Sequence, residues 1–95
     1  MGKLKKIKVH IADDHMVLID GIKAVLKTDE EIDVVGSSLN GEDLLEWYKS
    51  NDSDVLVLDI NMPKVDGIGV LQEFKNQASR PRIVVLSSYD DIKLV

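Results

Sequence analysis

The stretch "VLVLDINMPKVDG", residues 55–67, changes character at Asp59, where an apolar run gives way to a carboxylate and a turn. A nearly continuous run of aliphatic residues is typical of a parallel strand that is covered on both faces of its sheet. We therefore predict a central strand three over residues 54–59, with Asp59 at its carboxyl end. Pro63 and Gly67 are common turn residues, and they indicate a turn directly after this strand.

Three other short runs have the composition of strands. They are "IKVHIA" (Ile7–Ala12, strand one), "IDVVGS" (Ile32–Ser37, strand two) and "RIVVLSS" (Arg82–Ser88, strand four). Apolar residues recur at helical spacing between the strands, which predicts helices over residues 16–28, 40–50 and 67–76, and the start of a fourth helix near residue 90. Strands that alternate with helices predict an α/β fold with a parallel sheet.

Length and composition exclude several classes of protein. The chain has 95 residues, 44% of them hydrophobic and 31% charged, as expected of one globular domain. A net charge of -5 argues against direct contact with nucleic acid. No cysteine is present, so disulfides and thiolate metal sites are excluded. No apolar run approaches the roughly 18 residues of a membrane span. We expect a cytoplasmic location and no membrane association.

A second acidic stretch, "IADDH", follows strand one and contains Asp13 and Asp14. The carboxyl ends of parallel strands joined by right-handed crossovers lie at one edge of the sheet, where ligands of open α/β sheets bind. If strands one and three are neighbours, Asp13, Asp14 and Asp59 converge there. Like charges about 4 Å apart repel by roughly 1 kcal/mol in water and about 4 kcal/mol near a protein surface. A bound cation or a raised pKa is therefore expected at this cluster.

Oxygen ligands without cysteine favour Mg²⁺, which binds one or two carboxylates together with phosphate oxygens. We predict phosphoryl transfer with Asp59 as the nucleophile, because a carboxylate can form an acyl phosphate. Asp13 and Asp14 would hold the metal, and the backbone carbonyl of Asn61 could add a ligand. Ser87, at the end of strand four, could hydrogen-bond a phosphate oxygen. A phosphoryl group with a charge of about -2 can move a loop, so the site could act as a switch.

Each of these residues also has a purely structural interpretation. Asp13 could cap helix one, because Asp is a favoured N-cap residue. We expect His15 to be an exposed residue at the start of this helix, with metal binding as the alternative. His10 lies inside strand one, and we interpret it as a packing or surface residue. Trp47 is expected to be a partly buried cover on helix two.

The motifs "ADDH" (Ala12–His15), "LDINMPKVDG" (Leu58–Gly67) and "LSS" (Leu86–Ser88) resemble those of the receiver domain of two-component response regulators. The closest resemblance is to the subfamily with a C-terminal helix-turn-helix output domain. It implies a flavodoxin-like open parallel sheet with strand order 2-1-3-4. It also implies that residues 1–95 are a receiver domain truncated at the start of the fourth helix. The family's fifth strand, its last helix and the output domain would then be missing.

For the site, the resemblance implies that Asp59 accepts a phosphoryl group from a sensor histidine kinase. It implies Mg²⁺ held by Asp14, Asp59 and the Asn61 carbonyl, with assistance from Asp13, and it makes Ser87 the switch hydroxyl. The family's lysine that pairs with the phosphate has no counterpart in residues 1–95, which puts phosphorylation of this chain in question.

The predicted function is a phosphorylation-dependent switch that regulates a transcriptional output domain and is not a turnover enzyme. One alternative is a receiver-like interaction module that never takes phosphate. The other is a Mg²⁺ phosphotransferase with an Asp nucleophile, against which Asn61 counts, because its side chain cannot act as an acid or base. We also expect self-association through the open edge of strand four, because unprotected apolar edges pair with other chains.

Overall fold

The computed structural model describes residues 6–59, 69, 72 and 81–86, and residues 6–59 and 81–86 contain four strands and two helices. In chain order they are β1 (Ile7–Ala12), α1 (Met16–Leu26), β2 (Ile32–Ser38), α2 (Gly41–Tyr48), β3 (Val55–Asp59) and β4 (Arg82–Leu86). The prediction of alternating strands and helices is confirmed for this part of the chain.

The four strands form one parallel sheet in the order β2-β1-β3-β4. This confirms the predicted α/β fold and its strand order. The neighbours β1 and β3 are in register, with Ala12 paired to Leu58. The residues that follow this pair, Asp13 and Asp59, therefore leave the sheet at the same edge.

Each face of the sheet is covered by one of the two helices. Val9 and Ile11 of β1 pack with Ile19 of α1 on one face. On the other face, Ala12, Leu56 and Leu58 pack with Leu44 of α2, and all four are fully buried. Burial of each of the valines, leucines and isoleucines contributes about 1.5–3 kcal/mol. The two clusters place the core on both sides of β1 and β3. The prediction that strand three is covered on both faces is confirmed.

The register between β1 and β2 shifts at one position. Val9 pairs with Val34, but the next residue of β1, His10, pairs with Gly36, so Val35 is an extra residue in β2. Side chains alternate between the faces of a strand, and a shift by one residue moves all later side chains to the opposite face. This bulge therefore places Gly36 and Ser38 on the same face as His10, beneath α2.

The helix ends follow from local hydrogen bonds. The side chain of Asn40 accepts a hydrogen bond of 2.8 Å from the Asp43 N–H and caps the start of α2. Helix α1 ends at Leu26, earlier than predicted, because the Thr28 N–H and hydroxyl both donate to the Val25 carbonyl. The bond from Thr28 to Val25 spans three residues, as in a 3₁₀-helix, instead of the four of an α-helix, so the last turn is tighter.

Part of the sequence prediction falls outside the described residues. Gly69 and Gln72 are helical, as predicted for helix three. The rest of that helix, the turn after β3, the last residues of strand four and the fourth helix are not among the described residues. No helix in the part of the chain that the structure describes has both the length and the apolar character needed to cross a membrane.

Candidate functional site

The carboxyl edge of the sheet carries a cluster of four side chains. Asp13 and Asp14 follow β1, Asp59 ends β3, and His15 precedes α1. Their ligand atoms all lie within 4.8 Å of one another, a spacing that could hold a metal ion. The structure thus brings together the three carboxylates that the sequence placed at this edge, and it adds the imidazole of His15.

The cluster has a buried half and an exposed half. Asp13 and Asp59 are only 1% and 2% exposed, whereas Asp14 and His15 face solvent. A buried carboxylate is costly unless it is paired or hydrogen-bonded, so the two inner groups need nearby donors or positive charge.

Hydrogen bonds on both sides orient Asp13. Its N–H donates to the Ser38 carbonyl at the end of β2, over 3.0 Å. Its Oδ1 accepts a hydrogen bond of 2.8 Å from the His15 N–H. The N-cap of α1 is His15, not Asp13, so the interpretation of Asp13 as a helix cap is wrong. Asp13 cannot be the cap because its backbone is still hydrogen-bonded to the end of β2, and its carboxylate closes a turn that precedes the helix.

The imidazole of His15 lies across the exposed side of the cluster. Its Nδ1 is 2.9 Å from Asp13 Oδ1 and 3.0 Å from Asp14 Oδ1. The hydrogen bond with Asp13 and then the charge of Asp14, with a further contribution from Asp59, raise the pKa of His15 above its usual 6.5. The prediction of an exposed residue at the start of α1 is confirmed, because the side chain is 62% exposed. Metal binding by His15 stays a prediction.

Two predicted site residues, Asn61 and Ser87, lie outside the described residues. Their roles as a metal-binding carbonyl and a switch hydroxyl stay predictions. The same holds for the assignment of Asp59 as the phosphoacceptor, since its position is known and its chemistry is untested.

The sequence left a packing role and a surface role open for His10, and its complete burial shows that the packing role is correct. Its Nε2 is hydrogen-bonded to the Ser38 hydroxyl, 2.8 Å away, in the interior. Burial, and to a lesser degree the charge of Lys23, lower the pKa of His10 to about 4. The sequence reasoning missed this link to Ser38. No local signal pointed to this link, because it depends on the register between β1 and β2.

Comparison with known proteins shows which family this chain is similar to. The model of the response regulator receiver domain matches residues 9–95. The transcriptional regulatory protein MctR of Rhizobium johnstonii is 38% identical over 90 residues, which are 95% of this chain and 42% of that protein. The nitrate/nitrite response regulator protein NarL of Escherichia coli is 34% identical over 87 residues, 92% of this chain and 40% of that protein. The chain thus spans less than half the length of these curated relatives.

Solved structures of receiver domains have the same fold as this chain. The isolated REC domain of RcsB from Salmonella enterica serovar Typhimurium, with the phosphomimetic BeF3-, superposes with a TM-score of 0.82 at 30% identity. That match covers 92% of this chain and 65% of the other. The signal receiver domain of the putative response regulator NarL from Mycobacterium tuberculosis gives 0.83 at 30% identity, covering 92% and 70%.

The fold and its acidic edge are those of a signalling receiver domain. The chain belongs to the response regulator receiver domain family. The resemblance to receiver domains that the sequence indicated is therefore confirmed, and so is the resemblance to transcription regulators of two-component systems.

Proposed function

We propose that this chain is a phosphoacceptor switch in which Asp59 takes a phosphoryl group from a sensor histidine kinase with the help of Mg²⁺. The observation that carries the proposal is the convergence of Asp13, Asp14 and Asp59 within 4.8 Å at the carboxyl edge of the sheet. Receiver domains as a family act through phosphorylation-dependent switching, and the membership of this chain supports the same role.

Asp59 is the acceptor in this proposal because it ends a central strand. One of its carboxylate oxygens bonds to phosphorus while the bond between phosphorus and the imidazole nitrogen of the donor breaks. The donor imidazole leaves with the electron pair and takes up a proton, and Asp59 becomes an acyl phosphate. β3 lies between β1 and β4: Leu58 pairs with Ala12 on one side and Asp59 pairs with Leu86 on the other, which holds the strand end and supports the position of the attacking oxygen.

The donor set fits Mg²⁺. Three carboxylates together with the proposed Asn61 carbonyl are hard oxygen ligands, and Mg²⁺ prefers these while retaining waters and phosphate oxygens. When bound, the ion neutralises negative charge on the transferred phosphoryl group. Asp14 and Asp59 would be direct ligands and Asp13 an assisting one. The hydrogen bond with Asp13 and the charge of Asp14 raise the pKa of His15 and so favour its imidazolium form, whose positive charge would offset part of the carboxylate charge.

The output of the switch lies in other parts of the parent protein. MctR and NarL are regulators that extend well beyond the matched region, which supports a transcriptional output domain in the parent of this chain. The phosphoryl group would change a surface that this output domain or a partner contacts, with Ser87 as the hydroxyl that follows the phosphate. Self-association through β4 and a cytoplasmic location stay predictions.

The experiment incubates the chain with Mg²⁺ and a small acyl phosphate, then measures intact mass. A single phosphoryl addition is expected in the native chain and in Asp33→Asn, which removes an exposed carboxylate of β2 far from the site. No addition is expected in Asp59→Asn or when EDTA replaces Mg²⁺. Absence of loading in the folded native chain would favour the phosphate-independent module. Rapid turnover of many phosphoesters would favour the phosphotransferase.

A further inference from the structure

The carboxylate site is connected to the interior beneath α2 through a short chain of buried polar groups. His10 Nε2 is 2.8 Å from the Ser38 hydroxyl, and the Ser38 carbonyl accepts the N–H of Asp13 over 3.0 Å. The three residues are 0%, 4% and 1% exposed. Ser38 therefore joins a buried imidazole on one side to the backbone of a site carboxylate on the other.

The bulge in β2 is what makes this connection possible. Because Val35 is an extra residue, Gly36 and Ser38 point to the face that carries His10. Without it, the Ser38 hydroxyl would point to the opposite face, towards α1. The polar pair thus depends on the same irregularity that pairs Ser38 with Ala12 at the end of β1.

The imidazole is held firmly on its other sides. The ring of Trp47 packs against it with centroids 4.2 Å apart and planes inclined by 46°, and the Tyr48 ring lies 5.6 Å away. The His10 Nδ1 is buried and has no hydrogen-bond partner among the described residues. The ring is therefore fixed in place, and the Nε2 bond to Ser38 is its polar anchor.

We propose that His10 and Ser38 are positioning residues that hold the ends of β1 and β2 together and thereby set Asp13 in the acidic cluster. The hydrogen bond forms in either neutral tautomer of the ring, with the hydroxyl taking the other role. An aliphatic pair could fill the same space, but it would leave the Ser38 segment anchored by its backbone alone. The Asp13 carboxylate would then lose part of its fixed orientation relative to Asp59.

The first test needs no metal. The exchange rate of the Asp13 amide hydrogen is measured by NMR relative to that of the Ile7 amide, which donates to the Glu31 carbonyl at the opposite end of the same two strands. In Ser38→Ala the Asp13/Ile7 ratio is expected to rise roughly threefold to tenfold, the factor that corresponds to one net interior hydrogen bond. Equal acceleration of both amides, or no change at Asp13, would overturn the proposal.

A matched pair of variants separates positioning from general packing. In His10→Gln the amide lies near the position of Nε2 and can bond Ser38, so the ratio should stay near the native value. In His10→Asn the amide lies near Nδ1, where the described part of the chain offers no partner, so the ratio should rise as in Ser38→Ala. Equal ratios in the Gln and Asn variants would show that only the ring packing matters.

The second test rests on the proposed function, since it measures Mg²⁺ binding by calorimetry. The Mg²⁺ dissociation constant should rise roughly threefold to tenfold in Ser38→Ala and His10→Asn, and should be retained in His10→Gln. If the native chain binds no Mg²⁺ while the exchange ratios behave as expected, the proposed function fails and the positioning role stands. If Mg²⁺ binds and all variants bind it equally, the positioning of the metal site fails and the proposed function stands.

Discussion

The indole of Trp47 packs on the imidazole of His10, with ring centroids 4.2 Å apart and planes inclined by 46°. Gly36 lies against both rings: a Cβ at this position would be 2.8 Å from His10 Nδ1 and 2.9 Å from Trp47 Nε1. Protein interiors are close-packed, and these distances are too short for carbon. Glycine is thus required at position 36 by the approach of two rings from α2 and β1.

This relationship predicts that Gly36→Ala destabilises the protein. Overpacking of a core costs about 1–3 kcal/mol, because the rings or the backbone must shift. The free energy of unfolding, measured by urea denaturation, should fall by that amount.

The control is Gly21→Ala on α1, where an added Cβ meets no atom within 4 Å. Alanine is favoured over glycine in a helix by roughly 0.8–1.0 kcal/mol, so this variant should be more stable than the native chain. Loss of stability at both positions, or at neither, would contradict the packing argument.

Stability should decrease as the pH falls from 6.5 towards 4, because His10 is buried and neutral. Its folded pKa is about 4 and its ordinary value is 6.5, so in this window the unfolded chain binds a proton that the folded chain does not. A shift of that size corresponds to about 3 kcal/mol.

The measurement is urea denaturation across this pH range for the native chain and for His10→Gln, which carries no titratable ring. The difference between the two unfolding free energies isolates His10 from the carboxylates. Parallel curves for the two proteins would mean that His10 is protonated as easily in the folded state as in the unfolded state.

The pKa of His15 should lie above 6.5, because the bond with Asp13 and the charge of Asp14 favour the imidazolium. This group stabilises the fold below pH 6.5, and its contribution is lost as the pH rises through the folded pKa, a window above that of His10. NMR titration of the ring protons measures the pKa directly. Asp13→Asn should lower it, whereas Asp33→Asn should leave it unchanged; a native value at or below 6.5 would refute the contact.

Asn40→Ala should lower the free energy of unfolding by about 1 kcal/mol, because the bond from the Asp43 N–H to the Asn40 side chain caps α2. Asn40→Ser should restore most of the loss, since serine is also a favoured N-cap residue. Thermal unfolding of the three proteins provides the comparison. Equal loss of stability in the alanine and serine variants would contradict the assignment of residue 40 as the N-cap of α2.

Much of the fold followed from local pattern. The apolar run before Asp59 predicted a strand covered on both faces, and Leu56 and Leu58 are fully buried. The meeting of Asp13, Asp14 and Asp59 followed from the rule that parallel strands end at one edge, once β1 and β3 are neighbours. The roles of Asn61 and Ser87 rest on their positions in the sequence and on the family resemblance, and both residues lie outside the described part of the chain.

Other features had no local signal. The sequence around Val35 is that of an ordinary strand. Its bulge places Val34 in the cluster with Ile19 of α1 and Gly36 beside the rings of His10 and Trp47. The sequence is equally compatible with His10 as a surface residue, and only the packing of Trp47 against it shows that it is buried. The helix cap at His15 instead of Asp13 likewise depends on where the backbone leaves the sheet.

Residue pattern alone was therefore enough for the alternation of strands and helices and for an acidic edge, because both depend on side-chain spacing within single segments. The burial and pairing of His10, Ser38 and Gly36 depend on contacts between segments that are distant in the chain. Such contacts are set by the packing of whole faces against each other, and a register shift of one residue is enough to change them.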